Sequence, residues 1–173
     1  MVIRMEPSLK YPFNVRSFFT KQEQKDIGGG IVLWRGYFQS VRPAIQKMLI
    51  NVDISTGAMY KAGSVIDVSL DFLGRAGGNP SMLSPARGFP ERERVKLQRF
   101  LSGVRVTVQI PGRPQAAGHP RVVKKLTAAG ADRLTFTNRD GVTMSVAQYF
   151  QSVHNYRLRY PDNVCLEVRT FFS

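Results

Sequence analysis

Apolar residues in this chain recur at every second position in short runs, and nearly every run is cut off by glycine or proline. That spacing predicts many short strands and few helices. The cleanest run is Val104, Val106, Val108 and Ile110 against Arg105, Thr107 and Gln109. Earlier, Val32, Trp34 and Phe38 alternate with Arg35, Tyr37 and Gln39. Beyond a turn at Pro43, Met48, Ile50, Val52 and Ile54 alternate with Leu49, Asn51, Asp53 and Ser55. Two such runs a few residues apart predict an antiparallel pair with one buried face. Residues 121–126 and 134–138 are further strand candidates, and Asp140-Gly141 reads as a turn.

Three segments break the two-residue period. Ser64 caps a helix that carries Val65, Val68 and Phe72 on one face and stops at Gly74, which predicts a helix lying on the small sheet before it. Pro90, Glu91 and Glu93 open a second helix whose Leu97, Phe100 and Leu101 face inward and which Gly103 closes. Ser145 three residues ahead of Gln148 forms a capping box, so a third helix begins at Val146. There Val146, Phe150 and Val153 share a face, with Tyr149 at its margin. After Asn155 the period returns to two: Tyr156, Leu158 and Tyr160 alternate with Arg157 and Arg159, as in a half-buried strand. Gly28-Gly29-Gly30 reads as a hinge, because a phosphate loop needs a helix to follow and a strand pattern follows instead. Residues 75–89, rich in Gly, Pro and Ser, read as a flexible interdomain linker. The class is α+β and mostly β: a small α/β unit, then a small barrel like an OB-fold with a strand–helix insert.

Charge is uneven along the chain. The net charge is +13; residues 1–74 hold nine Lys/Arg against six Asp/Glu, and residues 75–173 hold sixteen against six. Thirteen of those sixteen are arginine, whose planar fork suits phosphate. The second part is therefore the polyanion-binding part, with RNA the natural candidate and a solvated basic face the plain alternative. The single cysteine, Cys165, excludes an internal disulfide framework and fits a reducing compartment. It sits in an apolar strand pattern and reads as an inert core thiol. No run approaches the ~20 apolar residues of a membrane span. Asp67 and Asp71 lie one turn apart without a third ligand nearby, which favours solvated carboxylates over a metal site. With only His119 and His154, and no zinc-protease, Walker or CxxC motif, enzyme chemistry finds little support.

Two blocks of sequence resemble one family. Ser145-Val146-Ala147-Gln148-Tyr149-Phe150, then Leu158-Arg159-Tyr160-Pro161 and Cys165-Leu166-Glu167-Val168, resemble the close of a PAZ domain. Upstream, residues 33–43 (LWRGYFQSVRP) and Asn51-Val52-Asp53 resemble the linker that precedes PAZ in Argonautes and is lacking in Dicer. The chain is thereby identified as a member of the Argonaute family, fungal-like in cast. The resemblance implies a tail of an N-terminal domain over 1–27, linker 1 over 28–74, a flexible linker over 75–89 and a PAZ domain over 90–173. It also implies that the last strand of that domain is missing after Arg169-Thr170-Phe171-Phe172-Ser173.

The function implied is RNA binding in gene silencing: the 3′ end of a single-stranded small RNA is held, without catalysis and without a cofactor or metal. By resemblance the pocket falls on Phe136, Tyr149 and His154. Three family positions depart from pattern, since Ile110, His119-Pro120-Arg121 and Val153 stand where phosphate donors are usual; His119 and Arg121 are the substitutes. Arg105, Lys124, Lys125, Arg157 and Arg159 are the weaker backbone contacts. Further partners would be other Argonaute domains or silencing proteins, with no membrane. The expected location is the cytoplasm, with the nucleus second. The alternative is a protein–protein scaffold, or a non-functional fragment, whose basic surface meets an acidic partner.

Overall fold

The computed structural model describes residues 10–12, 16–108, 120–138 and 141–169, which form two compact units, 1–64 and 65–173. The first unit is one antiparallel sheet in chain order: β1 (Lys10–Pro12), β2 (Ser17–Gly28), β3 (Ile31–Ala44) and β4 (Lys47–Tyr60). Cross-strand partners Phe18 and Tyr37 stack with ring centroids 5.4 Å apart. The glycine triplet is not a hinge. Gly28 pairs with Ile31, so Gly29 and Gly30 (φ 63° and 72°) make the two-residue turn of the β2–β3 hairpin. Positive φ at both central positions matches the right-handed twist of the flanking strands, and only glycine takes it freely.

β3 and β4 pair antiparallel as expected, but Gln39 stands opposite Val52 and Tyr37 opposite Ile54, which puts the two apolar runs on opposite faces of the sheet. The β4 run is not buried: Met48, Ile50, Val52 and Ile54 are 54–64% exposed. The helix expected to cover this sheet belongs to the other unit. This helix, α1 (Val65–Phe72), places Leu70 in the second unit's core, with Val65, Ile66 and Phe72 packed at its edge.

The second unit continues through two 3₁₀ turns, Pro80–Leu83 and Pro85–Arg87, into α2 (Glu91–Leu101). Residues 75–89 are therefore no flexible linker. Leu83 and Phe89 are core residues, and the prolines open each turn. Phe72 and Phe100 stack at 4.1 Å, joining α1 to α2, and Leu97 and Leu101 are almost fully buried beside them. A three-stranded antiparallel sheet follows in the order β5 (Arg105–Val106), β6 (Arg121–Gly130), β9 (Val164–Arg169). Val123 and Leu126 of β6 close the core.

The long strand expected over 104–110 shrinks to two residues: Thr107 and Val108 are outside any strand, Val108 is 43% exposed, and Ile110 lies outside the described residues. The sheet is open, since among the described residues β9 has a ladder partner only on its β6 side. An apolar cavity of about 420 Å³ lies within this unit, lined in part by Leu97, Leu101, Leu126, Leu158 and Cys165. Burial there pushes the Cys165 thiol up, which keeps it protonated and weakly nucleophilic.

Candidate functional site on the strand–helix insert

The insert is a hairpin, β7 (Thr135–Thr137) with β8 (Thr143–Ser145), running directly into α3 (Val146–His154). Its local sequence fixes it at both ends. The Gln148 amide donates to Ser145 Oγ at 3.1 Å, and the Ser145 amide donates to Gln148 Oε1 at 2.8 Å. This reciprocal cap satisfies two orphan amide donors at the helix start. The Val146 and Ala147 amides donate to the Leu134 and Ala131 carbonyls at 2.9 Å, seating α3 against the base of the hairpin. Asn155, in the left-handed region at φ 48°, ends the helix, leaving His154 as its last residue.

Those constraints bring four rings together. Phe136, opposite Met144 in the hairpin, meets Tyr149 edge-on at 5.5 Å. Tyr149 meets His154 edge-on at 5.7 Å and Phe150 at 6.2 Å, while Phe150 and His154 lie 5.4 Å apart. Edge-to-face pairs at these distances are favourable ring geometries. Tyr149 is the hub, in contact with the other three. Phe136 is 37% exposed, so the cluster opens to solvent on the hairpin side. His154 Nδ1 is buried and has no hydrogen-bond partner among the described residues. A buried orphan nitrogen is costly unless something satisfies it, and here it stands beside aromatic faces. The arrangement can hold a planar group against rings.

The structure thus groups Phe136, Tyr149 and His154, all three expected from the sequence. Phe150, assigned to a core face by its spacing, joins them. Its position four residues before His154 is the signal that places it there. The other candidates stand elsewhere. Arg105 and Arg121 are exposed on the three-stranded sheet rather than on the insert. His119 lies outside the described residues. Arg157 and Arg159 are exposed on the segment after α3, with Arg159 5.5 Å from the Tyr160 ring centroid. That segment alternates half-buried and exposed side chains as expected, but it is not a strand, because no ladder partner lies beside it among the described residues.

Lys124 and Lys125 both bind Glu167, at 3.0 and 3.1 Å. The Lys124 hydrogen bond, then that of Lys125, holds the Glu167 carboxyl below its ordinary 4.5. What the trio adds to stability is therefore present above 4.5 and lost as pH falls through the lower folded value. Among the described residues no three His, Cys, Asp or Glu side chains gather as a metal site would require, and no helix is long and apolar enough to cross a membrane.

Comparison with known proteins decides the family. The Argonaute linker 1 model matches residues 15–61, and the PAZ domain model matches residues 83–171. The chain belongs to the Argonaute family. Two similar relatives are rice proteins (Oryza sativa subsp. japonica). Protein argonaute 14 is 34% identical over 96% of this chain, and protein argonaute MEL1 is 33% identical over 96%. The chain spans 15% of the length of each. These plant relatives lend the fungal-like expectation no support. The fold resembles that of Kluyveromyces polysporus Argonaute with a TM-score of 0.59 at 13% identity, covering 94% of this chain and 20% of that one. In this Argonaute chain α1 lies between the two matched segments. The ring cluster lies within the PAZ segment.

Proposed function

We propose that this Argonaute chain holds the 3′ end of a single-stranded small RNA in the Phe136–Tyr149–His154 cluster and performs no catalysis itself. One observation carries the reading: a solvent-open cluster of rings, Phe136, Tyr149 and His154, on the strand–helix insert. Single-stranded RNA offers unstacked bases to aromatic faces, and its terminal ribose and phosphate offer groups for an imidazole to bind. The scaffold alternative, an acidic protein partner, uses the exposed arginines but gives the rings and His154 no role. A cytoplasmic location accompanies the RNA reading.

The test is equilibrium binding of a duplex with a free 3′ overhang against a blunt duplex across a salt series. The overhang should bind more tightly, and log K should fall linearly with log salt as counterions are released. Binding that is absent at low salt, indifferent to salt, or blind to the overhang would sink the proposal. The Glu167 trio gives a second measurement. Glu167→Gln releases Lys124 and Lys125 for phosphate, so RNA should bind about two- to fivefold more tightly at low salt. No gain would take both lysines off the RNA path.

A further inference from the structure

The outward face of α2 carries an unassigned charge pattern. Arg92, Lys96 and Arg99 recur at spacings of four and three, so they share one face of the helix. All three are exposed, whereas Leu97 and Leu101 on the opposite side are core. The helix contains two acids, and each is occupied. Glu91 binds Arg94 in a fork, with Arg94 Nε to Glu91 Oε2 at 2.7 Å. Arg94 also donates to the Leu126 carbonyl at 2.9 Å, which turns it inward. Glu93 binds Arg75, with contacts of 2.9 and 3.0 Å. None of the three outward cations has an ion-pair partner among the described residues. The helix thus spends its carboxylates on inward arginines and leaves a stripe of three positive charges facing solvent.

We infer that this stripe is a second RNA contact, a track for the phosphate backbone separate from the ring cluster. At 1.5 Å per residue the three charges span about 10.5 Å of helix axis. Their linear density, about one per 5 Å, is of the order of a nucleic-acid strand's one charge per ~3.4 Å. The chemistry of the face favours a polyanionic backbone over a folded acidic protein. Protein interfaces centre on an apolar, aromatic-rich core, and α2 shows no exposed large apolar side chain; the nearest are Met82 before it and Val108 after it. A cationic face without an apolar centre binds phosphates and reads no sequence. The inference rests on the RNA reading above but uses none of its pocket residues.

The experiment compares the full chain with the triple variant Arg92→Gln, Lys96→Gln, Arg99→Gln and with Tyr149→Ala. The probes are a blunt RNA duplex, the same duplex with a 3′ overhang, and poly-glutamate as an acidic-protein mimic. The triple variant should weaken both RNAs to a similar degree and reduce the log–log salt slope by about 2 to 3, close to one for each phosphate released. Its preference for the overhang should remain. Tyr149→Ala should do the opposite, erasing the preference and leaving the slope. A charge-preserving variant, Arg92→Lys with Arg99→Lys, should bind like the wild type and guards against a folding artefact. RNA affinity within twofold of wild type, with an unchanged slope, would overturn the inference. So would loss of poly-glutamate binding with RNA binding intact. A Tyr149→Ala variant that keeps the overhang preference would overturn the pocket reading and leave the track standing.

Discussion

Leu70→Ala should lower the stability of the second unit by about 2–5 kcal/mol, the range for truncating a buried leucine. Leu70 is 1% exposed and touches a core built from Leu83, Phe89, Leu97, Leu101, Val123 and Leu126. The residual void has little room to collapse, because the Phe72–Phe100 stack pins α1 to α2 on one side of it. For a unit of this size the loss corresponds to a melting point lower by about 10 °C or more. The two units can be followed separately. Among the described residues all three α-helices lie in the second unit, whereas the only tryptophan, Trp34, lies in the first. The helical circular-dichroism transition should fall and the Trp34 fluorescence transition should stay. A fall in the Trp34 transition with the helical one unmoved would return α1 to the linker sheet. The outcome also fixes a practical boundary: a PAZ domain cut at residue 83 would lack α1 and part of its core.

Helix ends were legible in the sequence wherever a capping side chain or the backbone habit of proline and glycine fixes them. Ser145 with Gln148 set the start of α3, and Pro90 with Glu91 and Gly103 bracketed α2. Spacing alone said less about destination. The apolar stripe of α1 showed that it must be buried but not against which partner, and the nearer sheet was the wrong choice. For the same reason the alternation in β4 predicted a buried face that is exposed, because periodicity marks which residues share a face and not whether a layer covers them. The glycine triplet read as a hinge, and the pairing of Gly28 with Ile31 makes it a turn instead.

In the candidate site, Phe136, Tyr149 and His154 were found through motif resemblance, and their grouping follows from a hairpin of fixed register feeding a capped helix. What stayed hidden depends on contacts distant in sequence. Lys124 and Lys125 looked like free phosphate donors, yet Glu167 on the neighbouring strand takes both. The charge on α2 was hidden in the opposite sense. Counted along the sequence, Glu91 and Glu93 offset two cations, but the fold assigns them to Arg94 and Arg75 and leaves the outer face uncompensated.

Tyr149→Ala should cost more RNA 3′-end affinity than Arg159→Ala. Losing a ring against which a base or ribose packs costs about 1–3 kcal/mol, roughly five- to 150-fold in binding. Tyr149 is also the one ring that meets Phe136, Phe150 and His154 alike, so its removal strips the pocket of order as well as surface. Arg159 is exposed and lies near the Tyr160 ring, outside the cluster. As a phosphate contact its loss should weaken all RNAs alike and reduce the salt slope by about 1. Measured on a 3′-overhang duplex and its blunt counterpart, the two substitutions should separate cleanly: Tyr149→Ala collapses the difference between the probes, and Arg159→Ala preserves it. Tyr149→Phe keeps the ring and should retain most of the affinity, which distinguishes ring packing from a hydrogen bond by the hydroxyl. Equal losses for Tyr149→Ala and Arg159→Ala, or a larger loss for arginine, would reduce the site to one basic patch.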